Sequence, residues 1–143
     1  MIRLTNLADY AVVVMTAAAK ARDPRLTAGS VAALTGLPIP TVAKLMGGLA
    51  RAGLLTSSRG VAGGFQLARP PAEISLAEIV EAIDGPIALT ACQHDIASEC
   101  AIEGACAVKP HIGIVTRTVR ESLQAVTLAQ LAGAAVAIQF EEA

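Results

Sequence analysis

Two helix patterns joined by a sharp turn, with a glycine-rich hairpin pattern after them, constrain the fold of this chain more than any other feature. The helix before the turn is predicted over residues 27–35, with Thr27 as its cap, and Gly36-Leu37-Pro38 forms the turn. The second is predicted over residues 40–52, because Pro40 suits the first helical position and Gly53 suits the end. Helix, glycine-containing turn and helix in this order are typical of a helix-turn-helix.

The second of these helices has an apolar face and a small basic face. Val42, Leu45, Met46 and Leu49 recur at helical spacing and predict the core side, whereas the opposite side carries Thr41, Lys44, Gly48 and Arg51. A small, basic face suits close approach to a major groove. We therefore expect DNA contacts from Pro40, Thr41, Lys44 and Arg51. The sequence offers no firm reason for the Gly47-Gly48 pair.

Short strands are predicted at residues 54–56 and 65–67, with a glycine-rich tip between them. Glycines permit positive φ and close approach of the backbone to a ligand. An arginine at such a tip can enter a narrow minor groove, where the negative potential is enhanced. We interpret the hairpin as a DNA-contacting wing, with Ser58, Arg59, Gly60 and Gly63 as its contacts. The alternative is an ordinary flexible hairpin with a solvated arginine.

Charge is distributed unevenly along the 143 residues. Residues 24–72 contain no Asp or Glu but five bases, whereas residues 73–143 contain ten acids and three bases. A basic block inside an otherwise acidic chain indicates a phosphate-binding surface, although a solvated basic face would have the same composition.

The only cysteines of the chain, Cys92, Cys100 and Cys106, lie within fifteen residues after the hairpin. Thiolates this close together can hold an iron–sulfur cluster or zinc, or can undergo redox chemistry. Joined to a DNA-binding module, they suggest a switch in which the state of the thiols sets DNA affinity. The odd number of cysteines and the lack of a signal-peptide pattern at the start predict a cytoplasmic protein without a disulfide framework.

The remaining patterns are mostly helical. A first helix is predicted over residues 7–21, and Ser75 with Glu78 predicts a capping box before a helix over residues 76–83. After Pro110, a long helix is predicted, with the apolar stripe Ile112, Val115, Val119, Leu123 and Val126. It exceeds what one small core can bury, so pairing in a twofold homodimer is expected, and packing on its own domain is the alternative.

The expected fold is therefore mainly α. It has a winged helix-turn-helix domain at residues 1–85, with a two-stranded wing, and a cysteine loop at residues 86–109. A dimerisation helix and tail follow at residues 110–143.

Three segments resemble the IscR/NsrR-type (Rrf-two) family of winged-helix regulators: residues 4–11, 59–69 and 74–85. The resemblance covers about residues 1 to 130. It implies a homodimeric bacterial transcription regulator, expected to be a repressor, that binds double-stranded operator DNA and carries an iron–sulfur cluster on the three cysteines. The segment from Gly85 to Cys92 looks most like regulators of Suf cluster assembly.

The same resemblance bears on a fourth ligand, since a [2Fe–2S] or [4Fe–4S] cluster usually takes four. Members similar to IscR use a histidine three residues after the third cysteine, where this chain has Lys109. Members similar to NsrR use an acid from the first helix of the other subunit, where this chain has Asp9. The alternative for Asp9 is a helix cap or a salt bridge in the first turn of its own helix. Further candidates, each also an ordinary surface residue, are His94, Glu99, Glu103 and His111.

Other functions stay open at this point. Three cysteines with one histidine or acid could hold zinc, or the thiols could act without metal through a disulfide or sulfenic acid. An iron–sulfur carrier on a winged-helix scaffold is the alternative from another class. An enzyme is not expected, because the sequence lacks a recognisable nucleophile–base pair or phosphate-binding loop.

Overall fold

The computed structural model describes residues 1–61, 63–93 and 99–133; His94 and the end of the predicted tail lie outside these ranges. Three 3-10 turns, at Pro71–Glu73, Ala91–Gln93 and Glu103–Ala105, join the main elements. These elements are α1 Asn6–Lys20, α2 Ala28–Thr35, α3 Ile39–Arg51, β1 Leu55–Ser58, β2 Gly64–Leu67, α4 Leu76–Asp84, α5 Lys109–Gln124 and α6 Leu128–Ala132. The predicted class is confirmed: the chain is mainly helical, with a helix-turn-helix and a two-stranded hairpin.

Local capping decides where most helices begin. Thr27 caps α2 through a reciprocal pair of hydrogen bonds with Ser30, and Ser75 caps α4 through the predicted pair with Glu78. Helix α3 begins at Ile39, so Pro40 occupies the second helical position, one residue later than predicted. The missing N–H of Pro40 removes no helical hydrogen bond at this position, because the first four amides of a helix have no partner within it.

The acid of the α4 capping box also carries an ion pair. Burial alone would raise the pKa of Glu78. Hydrogen bonds from the Ser75 backbone and from Arg69, 2.5 Å away, outweigh burial, so the pKa lies below its ordinary value of 4.5.

The hairpin is antiparallel, with Leu55 opposite Leu67 and Ser58 opposite Gly64. Leu26 extends it, because its N–H and carbonyl both bond to Phe65, at 2.8 and 2.7 Å. This bridge ties β2, close to the hairpin tip, to the segment before α2, and so sets the hairpin beside the helix-turn-helix.

The core is built from aliphatic side chains around α1. Its largest fully buried members include Val14 and Met15 of α1, Leu45 and Leu49 of α3, and Ile79 of α4. Helix α6 joins the same core, since Leu128 has no exposed surface. Its N–H donates to the Ile74 carbonyl at 2.8 Å, so the chain after α5 returns to the winged-helix core.

Helix α5 packs along α4 and against the turn Ala91–Gln93. Val119 and Leu123 of the predicted stripe are half-buried, but Val115 lies with Ile114 on the exposed side, at 47% and 56% exposure. The exposed side is the surface expected for a second subunit, and dimerisation through it stays a prediction. Among the described residues, no single helix is long and apolar enough to cross a membrane, although α2 and α3, bent by 116°, reach that length and composition together.

Candidate functional site

The outer surface of α3 carries most of its predicted DNA contacts. Pro40, Lys44 and Arg51 are exposed, and Thr41 is half-buried. Within the described ranges, neither the Lys44 ammonium nor the Arg51 guanidinium has a carboxylate or hydrogen-bond partner. Both cations are therefore available to an anionic partner.

Gly48 does not lie on this outer surface, and this differs from the sequence-based assignment. A Cβ at position 48 would lie 3.3 Å from the Ile83 Cδ1 of α4. The glycine thus lets α3 and α4 pack closely. The Arg51 guanidinium lies over the same stretch, because its Nη1 would be 3.5 Å from a Cβ at Gly47. The glycine pair has a packing role that the pattern within one helix did not reveal.

The hairpin tip presents Ser58, Arg59 and Gly60 to solvent. Gly63 closes the tip: its N–H donates to the Gly60 carbonyl at 2.9 Å, and a Cβ there would lie 2.5 Å from the Ser58 carbonyl oxygen. A side chain at position 63 cannot fit without moving the backbone. Gly63 is therefore needed for the turn itself, whereas the exposed Arg59 and Gly60 remain available for contact.

The cysteine segment lies between α4 and α5 and begins with a short turn. Cys92 is half-buried, with its Sγ 3.2 Å from the Thr90 Oγ1; Cys106 is half-buried and Cys100 is exposed. All three are thiols rather than disulfides. The described part of the chain contains no group of three His, Cys, Asp or Glu side chains arranged to hold a metal ion.

Lys109, the first residue of α5, interacts electrostatically with charged and thiol groups of the cysteine segment. Its ammonium bonds to the Glu103 carboxylate at 2.5 Å, and this hydrogen bond raises the pKa of Lys109. Burial acts in the opposite direction, and the negative charges of Glu103, Cys92 and Cys106 add to the increase. Cys92 and Cys106, fourteen positions apart in the sequence, therefore both lie near the start of α5. The candidate ligand Glu103 therefore already bonds to Lys109.

The remaining candidate ligands that the structure describes are on the surface. Asp9 is exposed in the first turn of α1, where Thr5 rather than Asp9 forms the cap. No carboxylate contact of Asp9 is present within residues 1–61, 63–93 and 99–133. Glu99 and His111 are exposed as well. The structure therefore leaves Asp9 open to a second subunit, and its role as a ligand stays a prediction.

Two further contacts of α5 were not anticipated from the sequence. The Gln93 Nε2 donates to the Lys109 carbonyl at 3.3 Å and lies 4.0 Å from the Cys92 Sγ. One turn further, a Cβ at Gly113 would lie 3.2 Å from the Gln93 Oε1. The only sequence signal for this contact is Gly113 itself, because a glycine inside a helix disfavours the helix and often has a packing reason.

The second contact joins α5 to α4. The Arg120 guanidinium binds both carboxylate oxygens of Glu81, at 2.7 and 3.1 Å. Glu81 also accepts from the Ile87 N–H at 3.4 Å. The hydrogen bond to Glu81, together with the charge of that carboxylate, raises the pKa of Arg120.

Comparison with known proteins places these features in a family. Residues 4–134 match the Rrf2 family, described as "Iron-dependent Transcriptional regulator". An HTH-type transcriptional regulator of Azotobacter vinelandii is 34% identical over 94 residues, which are 65% of this chain and 57% of that protein. An rrf2-like regulator of Rhodobacter capsulatus is 33% identical over 88 residues, 59% of each chain. The matched stretches span little more than half the length of these relatives.

Solved structures share the fold over nearly the whole length. CymR of B. subtilis, described as the global cysteine regulator, has a TM-score of 0.69 and 25% identity, covering 92% of this chain and 97% of its own. An oxidized form of Staphylococcus aureus CymR has a TM-score of 0.67 and 27% identity, covering 94% and 99%. IscR of T. potens has a TM-score of 0.68 and 24% identity, covering 99% and 94%, and supports the fold alone.

Proposed function

The chain belongs to the Rrf2 family of transcriptional regulators, and from this membership we propose that it binds operator DNA as a homodimer under the control of an iron–sulfur cluster. The family consists of regulators rather than enzymes, as predicted. The observation that carries the proposal is a juxtaposition. A basic surface on α3 and the hairpin tip, whose cations Lys44, Arg51 and Arg59 have no carboxylate partner among the described residues, occupies one part of the fold. A segment with three thiols leads directly into α5.

The positions of three exposed cations support DNA binding. Lys44 and Arg51 are exposed on the second helix of the helix-turn-helix, and Arg59 is exposed at the hairpin tip. A helix of this kind enters a major groove, and an arginine on a thin hairpin can reach the adjacent minor groove. In the proposed complex Thr41 and Lys44 contact bases or fix the helix in the groove, Arg51 contacts phosphate, and Arg59 enters the minor groove.

The donor set fits an iron–sulfur cluster in part. Thiolates are the usual ligands of such clusters, and the fold brings Cys92 and Cys106 to the same end of α5, with Cys100 between them in sequence. Lys109 is protonated and bonded to Glu103, so it is a poor ligand. In the proposal, Cys92, Cys100 and Cys106 hold the cluster and Asp9 of a second subunit completes it. When bound, the cluster would supply a group that is sensitive to iron supply and oxidants.

A metal-free thiol switch is the second candidate, and one observation favours it. All three cysteines are free thiols, and Cys92 and Cys106 both lie near Lys109 at the start of α5, so the segment holds oxidisable groups without needing a metal. The similar CymR structures include an oxidized form. Disulfide formation between two of these thiols would pass two electrons and two protons to an oxidant such as a peroxide. Hydrogen peroxide would be reduced to two waters, and an organic hydroperoxide to one alcohol and one water.

The deciding experiment is anaerobic reconstitution of the full chain with iron and sulfide. Visible thiolate-to-iron absorption with matching iron and sulfide contents, lost in Cys92→Ala, is the expected result. Asp9→Asn, which keeps the shape but removes the charge, should weaken retention of iron without unfolding the protein. Arg22→Ala, an exposed position after α1 and away from the exposed side of α5, is the control and should retain the cluster.

DNA binding is then measured on duplexes selected from a random-sequence pool, at varied cluster content. Affinity that follows cluster content supports the proposal. A colourless protein with zinc or no metal refutes the cluster and leaves the thiol switch or a zinc site. A cluster without any DNA affinity would instead indicate a carrier.

A further inference from the structure

The contact between Gln93 and α5 gives a specific role to a residue beside the first cysteine. Gln93 ends the 3-10 turn Ala91–Gln93, whose backbone closes through a 3.1 Å bond from the Gln93 N–H to the Thr90 carbonyl. The Thr90 hydroxyl lies 3.2 Å from the Cys92 Sγ. Cys92 therefore belongs to a closed turn, and any contact that holds this turn also holds the thiol.

Helix α5 offers Gln93 a notch. Lys109 and Gly113 are four residues apart and so lie one above the other on the same face of the helix. The Gln93 Nε2 donates to the Lys109 carbonyl at 3.3 Å, while its Oε1 would be only 3.2 Å from a Cβ at Gly113. The carbonyl has a second lone pair, so it accepts this bond in addition to the helical one.

We propose that Gln93 is a positioning residue for Cys92: its side chain occupies the notch at Gly113 and holds the Cys92 thiol against the first two turns of α5. The role of Gly113 is to leave the notch open. This inference deepens the proposed function, because it explains how the state of one thiol is presented to the long helix. It does not require the bound group to be iron–sulfur.

The experiment uses the full chain, reduced and metal-free, at one protein concentration and one pH. A short pulse of iodoacetamide is followed by mass spectrometry of the three cysteine-containing peptides, which gives a separate alkylation rate for each thiol. The variants are Gln93→Met, which keeps the length but removes the hydrogen bonds, Gly113→Ala, which fills the notch, and the two combined.

Gln93→Met is expected to speed alkylation of Cys92 about fivefold, as loss of one hydrogen bond allows, and to leave Cys100 unchanged. Gly113→Ala should act in the same direction and more weakly, because the end of a flexible side chain can shift. The double variant should match Gln93→Met, since a Cβ at position 113 cannot disturb a hydrogen bond that is already absent and the flexible methionine can shift aside.

Gly104→Ala is the matched control, because no atom lies within 4 Å of a Cβ there and the glycine belongs to the same segment. Alanine favours the helix over glycine, so Gly113→Ala is not expected to unfold α5.

Three results would overturn the inference: an unchanged Cys92 rate in both single variants, an equal rise at all three thiols, or an undiminished effect of Gly113→Ala when it is combined with Gln93→Met. Its failure is distinguishable from failure of the proposed function, because iron uptake by the wild-type chain is measured separately.

Discussion

Replacing Leu128 by alanine tests whether the chain after α5 is part of the winged-helix core. The Leu128 side chain is fully buried, and its backbone N–H bonds to the Ile74 carbonyl at 2.8 Å. Just before it, the Val126 carbonyl accepts from the Leu76 N–H at 2.8 Å. These bonds hold α6 next to the start of α4, so the leucine closes the core where the chain returns from α5.

The expected loss follows from the burial. Truncating a fully buried leucine to alanine costs about 2–5 kcal/mol, less where the surroundings can collapse into the cavity. Helix α6 has five residues and packs at the edge of the core, which allows some collapse. We therefore expect a loss of about 2–3 kcal/mol in the free energy of unfolding.

Urea denaturation followed by far-ultraviolet circular dichroism suits this measurement, because the chain has no Trp and only one Tyr for fluorescence. Protein concentration must be the same for all variants, since a dimer gains stability with concentration. Leu34→Ala is the matched control: this leucine is 62% exposed, so the same truncation should cost less than about 0.5 kcal/mol. Equal midpoints for the two variants would refute the reasoning and indicate that α6 is only loosely docked.

Three further predictions concern the charged groups. Arg59→Ala should reduce the magnitude of the slope of log affinity against log salt concentration by about 1 on a mixed-sequence duplex. Arg22→Ala, an exposed position after α1, should leave the slope unchanged. An unchanged slope for both variants would contradict the wing role. Because the pKa of Glu78 is lowered on folding, its contribution to stability is present above about pH 4.5 and is lost as the pH falls through the folded value. Glu78→Gln should therefore flatten the acid side of the stability curve measured by thermal denaturation, and an unaltered curve would argue against this pair. Arg120→Met and Glu81→Gln should each lower the melting temperature, and together lower it by less than the sum of the two, because each removes the same ion pair; full additivity would mean that the pair does not couple.

The features that the sequence predicted correctly depend on near neighbours. The Ser75–Glu78 capping box and the turn at Gly36 each need only residues within one helical turn of one another, so the pattern contains all the information. The two strands were found to within two residues for the same reason, because a glycine-rich tip separates them. The family resemblance rested on such local segments as well, and the match over residues 4–134 confirms it.

The contacts that were missed join distant parts of the chain. Gly48 packs against Ile83, Gly113 faces Gln93, and α6 inserts Leu128 into a core made mostly by the first half of the chain. A glycine in a helix reports only that a side chain is absent, not which partner occupies the space. The proposed fourth ligand, Asp9 of a second subunit, is suggested by the family resemblance alone, because no pattern within one chain links Asp9 to the cysteines.

These missed contacts link the cysteine segment to α3 through α5 and α4. The turn at Cys92 rests on α5 through Gln93, α5 binds α4 through Arg120 and Glu81, and α4 packs on α3 through the Ile83–Gly48 contact. Helix α3 carries the exposed Lys44 and Arg51. Contiguity alone does not establish coupling, which requires an element with two arrangements that both sites bias. Helix α5 is the element suited to that part, because α4 covers it on one side while its other side is exposed for a second copy. In the proposed homodimer, a change at the thiols that moved α5 would alter both its contacts with α4 and the subunit interface, and so the spacing of the two α3 helices on successive DNA half-sites.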